Sequence, residues 1–515
     1  MRAILRTASI RLFALLALLA MAQAGFAMNN LSLVNAASYE TVSVSGVATG
    51  VVAPGSIGAL FSAGMASSAT FAPPGVFPLP NVLAGANVTV AGIACPLMYV
   101  SATQVNLQIP FGVATGTQPV QVFSNGTLVA TGNVIVADSA PGIFTYDSSG
   151  NSQAAIQNSI DYSINGNFEQ YPGSRPEGTG KYLTIYLTGM GKATVPVTDG
   201  LASPGGTDAQ LAKAIGTTSV TLGGVAASVS YSGLAPGYVG LWQINIVVPP
   251  SLPTNFATPL VVSLNGRDSW SGKTPTASVA NAAELSTISG NVVDALTGNP
   301  LSGVDLTLTS SGKTRTVKTD SKGNYSFYVL NGSYSLSAGI NGYITTSQST
   351  TVSTGTVIRF GLTAPLGNSS QYRVVLSWTN AIDLDAHLTG PLSSSRFHVW
   401  WNGETDLQNN PITAQFNRDD TSGAGPETLT FTPGTGSYRF SVQNYTGRDI
   451  AGGNTPLTAT GATVRVFKGS QQVATYTAPG GAGTLWKVFE VNNGVLTPIN
   501  TITDEPDPSN IKTSN

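Results

Sequence analysis

The stretch Leu241-Trp-Gln-Ile-Asn-Ile-Val-Val-Pro249 decides the fold class. Trp242, Ile244, Ile246 and Val248 recur at every second position, the period at which side chains along a β-strand return to one face, and they are expected to line a core. Leu241, Gln243 and Asn245 take the other face. Their Gln-x-Asn pair recurs at Gln104 and Asn106, either as a row of amides facing a ligand or as the wet side of a sheet.

The strand belongs to a duplication. Asn-Val-Thr-Val-Ala-Gly-Ile-Ala from Asn87, then a strand ending Gln-Ile-Pro110, then Pro-Val-Gln-Val-Phe-Ser-Asn-Gly126 is matched by Ser-Val-Thr-Leu-Gly-Gly-Val-Ala from Ser219, the Leu241 stretch, and Pro-Leu-Val-Val-Ser-Leu-Asn-Gly266. Each copy is long enough for one sandwich of roughly 100 residues. The expected fold is all-β, a tandem of small β-sandwich domains.

Composition agrees with that expectation. The 58 Gly and 30 Pro fall between short Val/Ile/Thr/Tyr-rich runs, the punctuation of turns between strands. A chain of 515 residues exceeds what one core organises, so several domains are expected. Charged residues are only 9%, so Ser, Thr, Asn and Gly must carry solubility. Residues 1–27 read as a signal peptide: Arg2, Arg6 and Arg11, then an apolar run from Leu12 to Met21, then small residues. That run is shorter than the roughly 20 residues a spanning helix needs, so a secreted or cell-surface location without a membrane span is expected. Without the three arginines, 20 basic residues face 25 acidic ones, which leaves no basic surface for nucleic acid. A lone cysteine, Cys95, rules out a disulfide within the chain, and burial as a small apolar residue is expected for it.

Several motifs carry a resemblance. Val-Asn-Ala-Ala-Ser-Tyr39, Ala-Pro-Gly-Ser-Ile57, Ala-Pro-Gly-Ile-Phe144, Thr-Gly-Met-Gly191 and Gly-Leu-Ala-Pro-Gly-Tyr238 resemble the Solibacter-type uncharacterised C-terminal domain of exported acidobacterial proteins, over about residues 35–279. The resemblance implies a location and no activity. Each half also resembles the IPT/TIG immunoglobulin-like domains, which implies Ig-like repeats at 28–137 and 138–280.

A third module is expected at 285–366, with turn chemistry at Thr297-Gly-Asn-Pro300, Lys322-Gly-Asn324 and Asn331-Gly332. It resembles the carboxypeptidase regulatory-like domain, from Thr287 to about Leu362, which implies a transthyretin-like fold used as an accessory or spacer. Asp320 and Asn324 are expected to shape a turn there.

The fourth module, 370–503, holds both histidines and the densest polar set. Period-2 alternation puts Ile382, Leu384, Ala386 and Leu388 on one face and Asp383, Asp385 and His387 on the other. Asp419, Asp420 and Glu427 follow in a Gly-rich loop, and paired carboxylates with a flexible acidic loop suit Ca²⁺, which takes six to eight oxygens. The alternative is solvated acids that serve turns. The segment resembles the calcium-dependent pre-peptidase C-terminal sandwiches, implying a jelly-roll-like sandwich. In Arg-Phe-His-Val-Trp-Trp401, Phe397, Val399 and Trp401 are expected inside, with Arg396, His398 and Trp400 outside, where with His387 they form either a stacking surface for a sugar or mere cover for the sheet. A loose tail is expected at 504–515.

Catalytic motifs are sparse. No G-x-S-x-G elbow, H-E-x-x-H helix or phosphate loop occurs, and Thr-Gly-Met-Gly-Lys192 lacks phosphate-loop spacing. No catalytic residue is assigned, although Asp383 with Asp420 leaves a glycosidase couple open. The sequence favours a non-catalytic protein that binds polysaccharide or cell envelope, ahead of a purely structural or adhesive spacer and a hydrolase.

Overall fold

A computed structural model describes residues 31–514 apart from 169, 171–172, 270–271, 380–381, 406–413, 422, 424 and 448–455. The signal-like residues 1–27 lie outside these. The chain is all-β and forms two compact units, 1–284 and 285–515, each containing two sandwiches. No helix among the described residues is long and apolar enough to cross a membrane.

In the first unit the duplication is visible strand by strand. Ile57–Phe61 pairs antiparallel with Gln104–Gln108, as Tyr182–Thr188 pairs with Trp242–Val247. Ala86–Val90 pairs with Gly116–Ser124, as Thr218–Leu222 pairs with Asn255–Leu264. The copies differ at one place. In the second, Val225–Leu234 runs unbroken and pairs with both Thr218–Leu222 and Trp242–Val247, bulging between Val229 and Tyr231. In the first, the corresponding chain is cut into Ile93–Ala94 and Leu97–Val100. Pro96 stands at the cut, and a proline has no N–H to continue a ladder. The first copy therefore has separate five- and six-stranded sheets, whereas the second is one continuous sheet. Trp242, Ile244 and Ile246 are fully buried in the second core, as their alternation requires. Cys95 is buried in the first, and burial pushes its thiol up to about 12.

The motifs that carry the acidobacterial resemblance lock the two copies together. Asn35 donates from Nδ2 to the Ala140 carbonyl (2.8 Å), while its Oδ1 accepts from the Ala37 and Ser38 amides. Ile57 donates its amide to Thr188 Oγ1 (2.8 Å), and Thr188 Oγ1 donates to the Gly240 carbonyl (2.9 Å). At Gly189, with φ +86°, a Cβ would lie 1.9 Å from the Ala140 oxygen, so only glycine fits. Val34, Ile57, Phe144 and Leu241 fill the apolar joint between the copies. Leu241, assigned by parity to the face opposite the core, is buried there.

The second unit begins with two four-stranded sheets packed through Ile288, Leu306, Phe327, Leu336 and Phe360. Asp320 Oδ1 accepts from the Lys322 and Asn324 amides, both at 2.8 Å, which makes it a turn residue. The last sandwich packs a five-stranded sheet on a six-stranded one around Trp378, Phe397, Val399, Phe431, Phe440 and Trp486. The two sandwiches share a small apolar joint of Ala295, Ile344, Val375 and Phe467. Arg465 is buried across it. Its guanidinium donates to Ser377 Oγ at 3.0 Å and to Gln348 Oε1, and lies 4.6 Å from the centre of the Phe360 ring.

The tail corrects the expectation of a loose end at 504–515. Gln443 Nε2 holds the Glu505 carbonyl (2.8 Å), Asp507 caps the turn Pro508–Asn510, and Ile511, at the start of the short helix Ile511–Ser514, is fully buried. One apolar residue with a place to bury is enough to tie down a polar segment.

Candidate functional site

Two strands from different sheets of the last sandwich bring the acidic residues together. Leu384–Pro391 belongs to the six-stranded sheet, and Glu427–Phe431 to the five-stranded one. The Ala386 amide donates to Glu427 Oε2 at 2.7 Å and joins the two layers. Single oxygens of Asp383, Asp385 and Glu427 all lie within 4.8 Å of one another. Asp385 and Glu427 are buried and Asp383 is half-buried.

The electrostatics of this trio are unusual. Burial, then the Asp385 and Asp419 carboxylates, holds the Glu427 carboxyl well above the usual range. Its Oε1 is buried with no hydrogen-bond donor among the described residues. Asp419 reaches the same carboxyl from the loop that precedes the strand. Asp420 belongs elsewhere: it forms an ion pair with Arg418 (2.7 Å), whose guanidinium also bonds the Pro426 and Thr297 carbonyls. Of the five acids proposed as metal ligands, the structure therefore gathers Asp383, Asp385, Glu427 and Asp419, and Arg418 neutralises Asp420. Sequence reasoning grouped Asp420 with the other acids and did not weigh Arg418, two residues before it, as its partner.

Asp383 also fixes a neighbouring loop. Its amide donates to Thr446 Oγ1 (2.8 Å), and its carbonyl accepts from the Tyr445 and Thr446 amides. Tyr445 meets Trp401 edge to face with ring centres 5.8 Å apart, and Trp401 meets Trp400 in the same way at 5.4 Å. A change at the acidic trio is thereby one residue away from an aromatic edge.

Of the expected stacking surface of His387, Arg396, His398 and Trp400, the two histidines are withdrawn from solvent and Arg396 and Trp400 are half-buried. His387 and His398 are buried, with Nδ1 of the first 2.8 Å from Nε2 of the second, and both rings stack with Trp400. The helix Ile511–Ser514 packs against both of their strands. Arg396 directs its guanidinium to Thr389 and the Ser437 carbonyl. The exposed indole is Trp401, at 40%. Parity put it inside, but the strand Arg396–Trp400 ends one residue earlier and Trp401 opens a turn.

The Carboxypeptidase regulatory-like domain model matches residues 287–364, as the turn motifs of that segment led us to expect. No curated protein matches the chain. Among solved structures, the chain is similar to a DUF3823 family protein from Bacteroides ovatus, with 14% identity over 37% of this chain and 95% of that one and a TM-score of 0.14. It is also similar to the Bacteroides ovatus mixed-linkage glucan utilization locus protein SGBP-B, solved with a mixed-linkage heptasaccharide, with 14% identity, coverage of 67% and 88%, and a TM-score of 0.16. The BcpA major pilin subunit of Bacillus cereus gives 11% identity, coverage of 54% and 95%, and a TM-score of 0.14. Scores of this size describe no common arrangement of domains.

Proposed function

We propose that the chain is a non-catalytic exported binding protein whose last sandwich takes up Ca²⁺ at Asp383, Asp385 and Glu427, with Asp419 as a further ligand. The observation that carries this reading is the trio itself. Oxygens bound to one Ca²⁺ at about 2.3–2.6 Å stand no more than about 5 Å apart, and the three carboxylate oxygens satisfy that limit. A buried Glu427 with an unbonded oxygen is costly by itself and becomes favourable once a divalent cation replaces the missing donor. Retaining and inverting glycosidases hold their two carboxyls about 5–9.5 Å apart around a sugar, whereas this trio is tighter and largely buried, which favours a cation over a catalytic couple.

The metal would act as a staple between the two sheets in a chain that lacks a disulfide. Through Asp383 it would also set the loop that carries Tyr445, and Tyr445 with exposed Trp401 offers a rigid aromatic edge suited to a sugar ring of a polysaccharide or cell-envelope polymer. The exported location rests on the signal-like residues 1–27.

The test is calorimetric titration of the chelator-stripped full chain with Ca²⁺, with thermal melts in parallel. Saturable binding with a raised melting temperature is expected. Absence of both heat and shift would return the trio to a strained but metal-free cluster. Binding to insoluble cell-wall polysaccharide is then compared with and without Ca²⁺, and Trp401→Ala is expected to weaken only the Ca²⁺-dependent part.

A further inference from the structure

We propose that the junction of the two N-terminal copies holds a binding site for an uncharged aromatic or alicyclic molecule that carries one hydrogen-bond acceptor. A groove of about 360 Å³ opens between the copies, within the size range of small-molecule sites and at the kind of domain junction where such sites occur. One wall is the Pro-rich segment from Phe71 to Leu79 together with Tyr99, and the other is Tyr238 and Leu241 of the second copy. Phe71 and Tyr99 pack with ring centres 4.6 Å apart, yet Phe71 remains 53% exposed.

The lining selects the ligand. No charged side chain contributes to it, so an ion would lose its hydration without compensation. A sugar would have to desolvate many hydroxyls against aromatic rings, Pro73 and Pro74, and finds too few partners. The deepest polar group is Asn106, 7% exposed. Its Oδ1 accepts from Gln104 Nε2 (2.9 Å), and its Nδ2 has no acceptor among the described residues. One amide donor in an apolar groove matches one carbonyl, ether or hydroxyl oxygen on an otherwise apolar ligand.

The duplication provides an internal control. Gln243 Nε2 donates to Asn245 Oδ1 at the same 2.9 Å in the second copy, so the amide pair is an inherited feature of the strand. The groove touches Asn106 and does not touch Asn245, because the Gly237–Leu241 segment closes it only over the first copy.

The experiment is a fluorescence titration of the full chain with 6-propionyl-2-(dimethylamino)naphthalene, an uncharged probe with one carbonyl, and competition by 2-ethylnaphthalene, which has no acceptor. Saturable one-to-one binding with blue-shifted emission is expected. Phe71→Ala, an exposed position that leaves the cores intact, should weaken both compounds at least about 10-fold. Asn106→Leu should weaken the carbonyl probe about 5- to 10-fold, the share of one hydrogen bond, and leave 2-ethylnaphthalene unchanged. Asn245→Leu should change neither. The proposal is overturned if the probe does not saturate by about 1 mM, or if Phe71→Ala binds as the parent does. Concentration-dependent self-association that Phe71→Ala abolishes would also overturn it and make the groove a contact between copies.

Discussion

His387 Nδ1 lies 2.8 Å from His398 Nε2, inside a stack closed by Trp400. Burial, then the His398 ring, pushes the His387 imidazole well below its usual range, and burial, then Lys512, lowers His398 to about 4. The fold therefore favours the neutral rings. Unfolded histidines titrate near 6.5, so the stability contributed by neutrality is fully present above that pH and is lost as pH falls from 6.5 towards 4. Urea midpoints in chelator at pH 7.5, 6, 5 and 4 should drop across this window, and the double change His387→Phe with His398→Phe should flatten the drop. A flat midpoint in the parent would contradict the burial of the pair.

Glu427 has the opposite sign. Its carboxyl is raised, so its contribution is present below 4.5 and is lost as pH rises through the elevated value. At neutral pH without metal, Glu427→Gln should raise the melting temperature by about 2–4 °C, the effect of roughly 1 kcal/mol on a domain of this size. The same change should abolish the Ca²⁺-induced shift. A variant that melted lower in chelator and still responded to Ca²⁺ would show that Glu427 is a packing residue and no ligand.

Arg465 joins two sandwiches that sequence presents as separate modules. Burial lowers its guanidinium to about 10; it bonds Ser377 on the neighbouring strand of its own sheet and Gln348 across the joint. Arg465→Ala leaves a cavity and two polar groups without their partner, and should cost about 2–4 kcal/mol by denaturant unfolding. Arg465→Met refills the volume over Phe360 and should recover part of that loss. If both variants matched the parent, the joint would be open to solvent.

The all-β architecture was legible because period-2 alternation is a local signal, and Trp242, Ile244 and Ile246 point where that signal puts them. The acidic trio was legible in part, since Asp383 and Asp385 share a strand face and Glu427 ends an acidic loop. What decided the rest is non-local. Alternation separates two faces without saying whether the second is wet, and here Ile511 from the far end of the chain covers the face of His387 and His398. A strand that stops at Trp400 instead of Trp401 exchanges which indole is exposed. The groove beside Asn106 needs segments about 130 residues apart in the chain, so neither segment announces it alone.

Cys95 offers a probe of the first copy. Its side chain is fully buried, and burial raises the thiol to about 12, so at pH 8 it carries neither the exposure nor the thiolate that a disulfide reagent requires. It sits next to Pro96, at the break that divides this copy into two sheets where its twin has one continuous strand. That break removes ladder hydrogen bonds from one end of the sandwich only, so local opening should begin there. Reaction of the native chain with 5,5′-dithiobis(2-nitrobenzoate) should be slow and limited by opening, and should accelerate at denaturant concentrations below those that expose Trp242 in the second copy. Simultaneous release of the thiol and the Trp242 fluorescence change would mean that the Asn35, Thr188 and Gly189 contacts bind the two copies into a single cooperative unit.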